Sequence, residues 1–176
     1  MSARFHTLVL LTVALAARAE EPEFDEYHVK AAFLYNFSKF VEWPPSAFAS
    51  PREPIAICIA GQDPFGPILD DLVRGKKIGD RDLVVKRLPD ARQASSCQIL
   101  FIGAAERKRA HALLEGLPPY ILTVGETPDF TAQGGIVAFA LEGTHLRFQI
   151  ALETAQRAKL HISSKLLSLA EIVKGP

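Results

Sequence analysis

Two cysteines, Cys58 and Cys97, are the only ones in the 176-residue chain. A pair like this can form a disulfide, remain as two buried thiols, or supply a nucleophile to a histidine brought in from elsewhere. The nucleophile reading finds little support, because His6, His28, His111, His145 and His161 are scattered and stand in no recognisable catalytic spacing. No H-E-x-x-H, G-x-S-x-G or Walker pattern occurs, so neither a metal nor a cofactor is expected. Gly61 and Gly66 have the spacing that opens a phosphate loop, but no Lys-Ser/Thr follows. Pro64 between them would interrupt the row of amides such a cradle uses. The reading is therefore of a binding protein and not a catalyst. Arg147 and Arg157 can offer paired donors to an anionic ligand or a partner carboxylate, and Ser163 and Ser164 can add hydroxyls and amides at a helix start. The bland alternative is surface arginines and a capping serine. Trp43, beside Pro44-Pro45, is either a cover for the core or a partner-facing aromatic anchor.

The compartment follows from the first residues. Arg4 and His6 precede an apolar run from Leu8 to Ala17, and Ala17-Arg18-Ala19 has the form signal peptidase reads. Residues 1–19 are expected to be a cleaved signal peptide, and residues 20–176 a single α/β domain. An apolar run of about ten residues falls short of the roughly 20 that a membrane-spanning helix needs. The 20 basic and 20 acidic residues of the whole chain become 18 and 20 once Arg4 and Arg18 leave. That balance argues against a nucleic-acid binder, since Lys76-Lys77 and Arg107-Lys108-Arg109 are short and separate.

The positioning elements can be read from periodicity. Between Asp25 and Val41, Val29, Phe33, Phe37 and Phe40 recur at helical spacing, with Lys30, Asn36 and Lys39 on the other faces. Pro44-Pro45 ends that helix. PIAICIA at 54–60 reads as a buried strand, followed by a turn in which Asp63 caps a helix with Pro64 at its first position. Further strands are expected at 83–88, 98–103 and 120–125, with a helix reaching Glu115. This alternation implies a largely parallel sheet with helices on both faces. Two strand-like runs, 136–141 and 145–150, flank Glu142-Gly143-Thr144 as an antiparallel hairpin. The pattern then returns to helix, interrupted near Leu160 and His161, with Ser163 or Ser164 capping a last helical segment through Val173. Cys58 falls in the first predicted strand and Cys97 at the start of the third. If the crossover sets those strands side by side, export to an oxidising compartment favours a disulfide over buried thiols.

Several runs taken together resemble one family: KAAFLYNFSKFVEWP at 30–44, IAGQDPFG at 59–66, CQILFIG at 97–103, LTVGE at 122–126, QGGIVAF at 133–139, RFQI at 147–150 and the terminal ISSKLL. Their order and spacing are similar to those of the YfiR/HmsC-like proteins. The sequence departs from that pattern at Ala151, where Asn is expected, and at Lys159, where Gly is expected, and it has no second cysteine pair near Gly134-Gly135. The resemblance implies a Rossmann-like three-layer α/β sandwich located in the periplasm, with a tendency to homodimers. It also implies a repressor of an inner-membrane diguanylate cyclase, titrated away by an OmpA-like outer-membrane lipoprotein, so that cyclic-di-GMP and biofilm formation then rise. The alternative is a small-ligand-binding sensor module for another envelope receptor or a histidine kinase.

Overall fold

The computed structural model describes residues 25–176. The expected signal peptide lies outside them. In chain order the elements are α1 (Glu26–Phe40), β1 (Val41–Glu42), β2 (Ile55–Ala60), α2 (Pro67–Val73), β3 (Lys77–Ile78), β4 (Arg81–Leu88), β5 (Ile99–Ile102), α3 (Ala110–Glu115) and β6 (Leu122–Gly125). They continue with β7 (Val137–Glu142), β8 (His145–Ala151), α4 (Leu152–Arg157), β9 (His161–Ile162), α5 (Ser164–Leu167) and β10 (Glu171–Val173).

Eight strands form one sheet in the order β10-β8-β7-β6-β5-β2-β4-β3. The pairs from β4 through β7 are parallel, as is β10 on β8, while β7–β8 and β3–β4 are antiparallel. This is the mostly parallel sheet with a late hairpin that the alternation implies. A separate antiparallel pair, β1 with β9, ties the end of α1 to the segment after α4.

Period two distributes the side chains of the central strands. Ile57 and Ile59 of β2, with Ile99 and Phe101 of β5, enter a core beneath α1, α2 and α5. Ala56, Cys58 and Ala60, with Leu100 and Ile102, enter a second core on the opposite face, under α3 and the 3-10 turn Ala91–Ser96. Both faces are covered, which is why these strands read as unbroken apolar runs. Phe33, Phe37, Phe139 and Phe148 interlock under α1 with ring centroids 5.1–6.1 Å apart, each such pair adding about 0.5–1.5 kcal/mol beyond area burial. On the other face, Phe130 leaves room for nothing larger than glycine at two positions. A Cβ at Gly125 would lie 2.4 Å from that ring, and one at Gly135 2.2 Å from it.

Four local expectations are corrected. The helix after β2 starts at Pro67 with Gly66 at its N-cap (φ 52°), not at Pro64. Asp63 instead accepts from the backbone N–H of Phe65 at 2.8 Å, forming a local turn that drops Phe65 into the core. Proline at the first helical position was the right signal, applied one proline too early. The segment reaching Glu115 is α-helical only from Ala110, because Ala104–Arg109 takes the tighter 3-10 form. The C-terminal helix stops at Leu167, and Glu171–Val173 becomes a strand on β8. Ile172 and Val173 are β-branched, and the uncovered edge of β8 supplied what the helical spacing concealed. Finally, Lys30 does not lie on an outer face of α1. It is 3% exposed, among Ala31, Leu34, Phe37 and Ser38.

Candidate functional site

The chain leaves β2 toward β4 on one side and leaves β5 toward β6 on the other, so the strand order reverses between β2 and β5. Open α/β sheets of this kind place their ligand crevice at such a point, outside the carboxyl ends of the strands. Here the loop Gly61–Gly66 and the segment Gly103–Ala105 form its walls, and Tyr27 of α1 closes one side. A pocket of about 200 Å³ remains, lined by Tyr27, Gln62, Pro64, Gly103, Ala104, Ala105 and Glu126.

Glu126, directly after β6, dominates this crevice. One of its oxygens accepts from the N–H of Ala104 at 2.8 Å, and the other takes Lys30 Nζ at 2.6 Å. Tyr27 donates its hydroxyl to that second oxygen at 3.5 Å. Glu26, one turn before Lys30 on α1, supplies a further carboxylate to the same ammonium. Burial disfavours the charged form of Lys30, but the hydrogen bonds and charge of Glu126 and Glu26 outweigh it and hold the pKa above the ordinary lysine value. Desolvation, reinforced by the Glu126 charge, raises the Tyr27 pKa. Acid and base thus spend their charges on each other, and the amide that could receive a ligand's anion already holds Glu126. A general acid or base would need a pKa near neutrality, whereas Lys30 is moved away from it.

Cys58 and Cys97 form a disulfide with their Cα atoms 5.9 Å apart. The parallel pairing of Ile57 with Ile99 brings the two strands together, and both cysteines are buried in the second core. The bond fastens β2 to the entrance of β5, the two strands between which the order reverses.

The other residues singled out from sequence do not converge. Arg147 is exposed on β8 and bonds Glu142 across the hairpin at 2.6 Å. Arg157 ends α4, where it donates to Thr154 Oγ1 and to the carbonyl of Pro176. It borders a separate pocket of about 360 Å³ whose apolar wall includes Leu114, Leu117, Ile121 and Ile136. The two arginines share no hydrogen-bond partner. Ser163 caps α5 by accepting from Leu166 N at 3.3 Å, while Ser164 is exposed. Trp43 is half-buried against the core under α1, and its indole N–H has no acceptor. Among the described residues no group of three or more His, Cys, Asp or Glu could hold a metal, and no helix is long and apolar enough to cross a membrane.

Sequence reasoning missed the Lys30–Glu126 pair. The partners are 96 residues apart, so no local spacing announces them, although Lys30 sits one position off the helical apolar stripe.

The sequence profile of the YfiR/HmsC-like family matches residues 27–171. The chain belongs to this family. No individually curated protein matches it. The family match spans α1 through the first residue of β10, and so includes both the crevice and the disulfide. Lys159, where the sequence resemblance led to an expectation of glycine, has φ 59°, a left-handed conformation in which glycine carries no steric penalty. Among the described residues Tyr120 is the other non-glycine residue with positive φ, at 75°, and its N–H donates to the carbonyl of Ala158, next to Lys159.

Proposed function

We propose that the protein works in the periplasm as a non-enzymatic regulatory binding protein. In this reading it represses an inner-membrane diguanylate cyclase and is released when an OmpA-like outer-membrane lipoprotein sequesters it. Membership of the YfiR/HmsC-like family over residues 27–171 carries the reading. Two features of the chain support it. A buried disulfide suits an oxidising compartment. The crevice at the crossover, where an enzyme of this architecture would do its chemistry, is neutralised by Lys30 and Glu126. A protein outside the inner membrane can alter cytoplasmic synthesis only by binding two states of a transmembrane partner unequally, and a coupling of about 1–3 kcal/mol changes the activity equilibrium roughly 5- to 150-fold. The test is a calorimetric titration of the mature protein, in its homodimeric form if it self-associates, against the periplasmic portion of the cyclase encoded beside it. Saturable stoichiometric binding is expected. Absence of a complex, together with a catalytic activity that survives purification, would reject the reading.

The pocket beside Arg157 favours a second reading, a sensor module for a small anionic ligand with an apolar body. A thermal-shift screen of small organic acids separates the two: a saturable shift abolished by Arg157→Gln supports ligand sensing.

A further inference from the structure

Large apolar side chains are exposed at three places among the described residues: Leu141 (44%), Leu169 (68%) and Ile172 (49%). Leu169 lies just before β10, the outermost strand, Ile172 lies within it, and Leu141 is next to last in β7, two strands inward. The register runs Val137↔Ile150 and Leu141↔Leu146 across the hairpin and Ile150↔Ile172 onto β10, so Leu141, Leu146, Ile150 and Ile172 share the α1 side of the sheet.

The backbone at this edge is also unpaired, and the hydrogen-bond parity shows where. Ala151 N donates to Ile136 O toward β7, so by alternation Ile150 directs its own N–H and C=O toward β10. Ile150 is in register with Ile172, and in a parallel pair its groups are answered by the neighbours of Ile172, namely Glu171 and Val173. The N–H and C=O of Ile172, and by the same alternation those of Lys174, therefore point away from the sheet. The opposite edge is guarded. There β3 has two residues, sits among Lys76, Asp80 and Arg81, and pairs its Lys77 with Asp82 at 3.2 Å. At the β10 edge, by contrast, Glu171 is engaged within the sheet by Gln149 and the exposed Ile172 stands between it and Lys174.

We infer that the β10 edge is where the membrane partner of the proposed function docks, by adding an extended strand whose apolar residue covers Ile172 and whose acidic residue two positions along faces Lys174. This rests on that reading of the function and specifies its contact. Charge identifies the occupant: Glu171 is engaged by Gln149 at 3.0 Å, whereas Lys174 has no carboxylate partner among the described residues. A second copy does not satisfy it. Two-fold antiparallel pairing centred on Ile172 sets Lys174 opposite Ala170, and pairing centred on Val173 sets it opposite Ile172, so neither register supplies an acid. A foreign strand can, and main-chain bonds with alternate side-chain contacts are how such strands are recognised.

The experiment uses the mature protein and the periplasmic portion of the neighbouring cyclase as probe, with backbone amide exchange read residue by residue. The Ile172 and Lys174 amides exchange freely alone and become protected in the complex. Ile172→Pro removes the outward N–H, which the fold does not use, and trims the exposed apolar side chain, so it weakens binding by at least about fivefold to tenfold with the melting transition unchanged. Lys174→Glu, an exposed position, weakens binding in a salt-dependent way and keeps the test valid if the proline variant unfolds. A complex of unchanged affinity in both variants, with these amides unprotected, overturns strand addition and leaves the regulatory reading standing. Absence of any complex overturns both.

Discussion

Removing the Cys58–Cys97 bond should cost this protein a large share of its stability. The cysteines are 39 residues apart; releasing a closed loop of that length returns about 13 cal/mol/K to the unfolded chain, or about 4 kcal/mol at room temperature. Cys58 and Cys97 are 0% and 3% exposed, so replacing both by alanine also leaves small voids, each comparable to a deleted methyl group at about 0.5–1.5 kcal/mol. The double alanine variant should therefore lose roughly 5–7 kcal/mol, and the reduced wild-type protein roughly 4. For a chain of this size each kcal/mol shifts the transition by about 2–4 °C, so reduction alone should lower it by about 8–16 °C. The double serine variant should be worse than the alanine one, because two buried hydroxyls must find partners at about 1–3 kcal/mol each if they fail. Guanidinium unfolding followed by fluorescence of Trp43, the sole tryptophan, measures all four proteins, and thiol counting under denaturation verifies the redox state. If oxidised and reduced wild-type protein unfold within about 1 kcal/mol of each other, the loop-entropy reasoning is wrong for this fold.

Glu126→Ala should destabilise the protein by about 3–5 kcal/mol, because it leaves the Lys30 ammonium buried with only the partly exposed Glu26; Lys30→Met with Glu126→Gln should recover much of that loss, and denaturant midpoints compare them. Lys30 has a raised folded pKa, so its contribution should be complete below the unfolded lysine value and lost as pH rises through the folded one, giving an alkaline loss of stability that Lys30→Met lacks in pH-dependent melts. Lys159→Gly should raise stability by about 1 kcal/mol, since it relieves a left-handed residue at φ 59° while adding some unfolded-state entropy. Gly135→Ala should do the reverse, losing about 1–3 kcal/mol as the new methyl meets the Phe130 ring, and both appear in the same thermal scans.

Much of the fold is legible in the sequence because its determinants are local. IAICIA and ILFI have nowhere to go but between two layers of helices, Pro44-Pro45 ends α1 within a few residues, and Glu142-Gly143-Thr144 turns the hairpin with Gly143 at φ 63°. The disulfide is legible for a different reason, as the chain's two cysteines have only each other to pair with. What escapes depends on distant partners. Ile172 and Val173 sit at helical spacing after Leu166 and Leu169, and only the open edge of β8 makes them a strand. Lys30 looks solvated until Glu126 arrives from the end of β6. Lys159 shows the third kind of gap, because nothing in its local sequence announces the left-handed backbone that its φ of 59° reveals.

The central claim is that this chain lowers the output of a membrane cyclase from the periplasmic side, and intracellular cyclic-di-GMP in a deletion strain tests it most directly. The account predicts a rise in cyclic-di-GMP and biofilm on deletion, restored by the full-length gene and not by one lacking residues 1–19. Unchanged cyclic-di-GMP on deletion, or equal rescue by the leaderless gene, would contradict it.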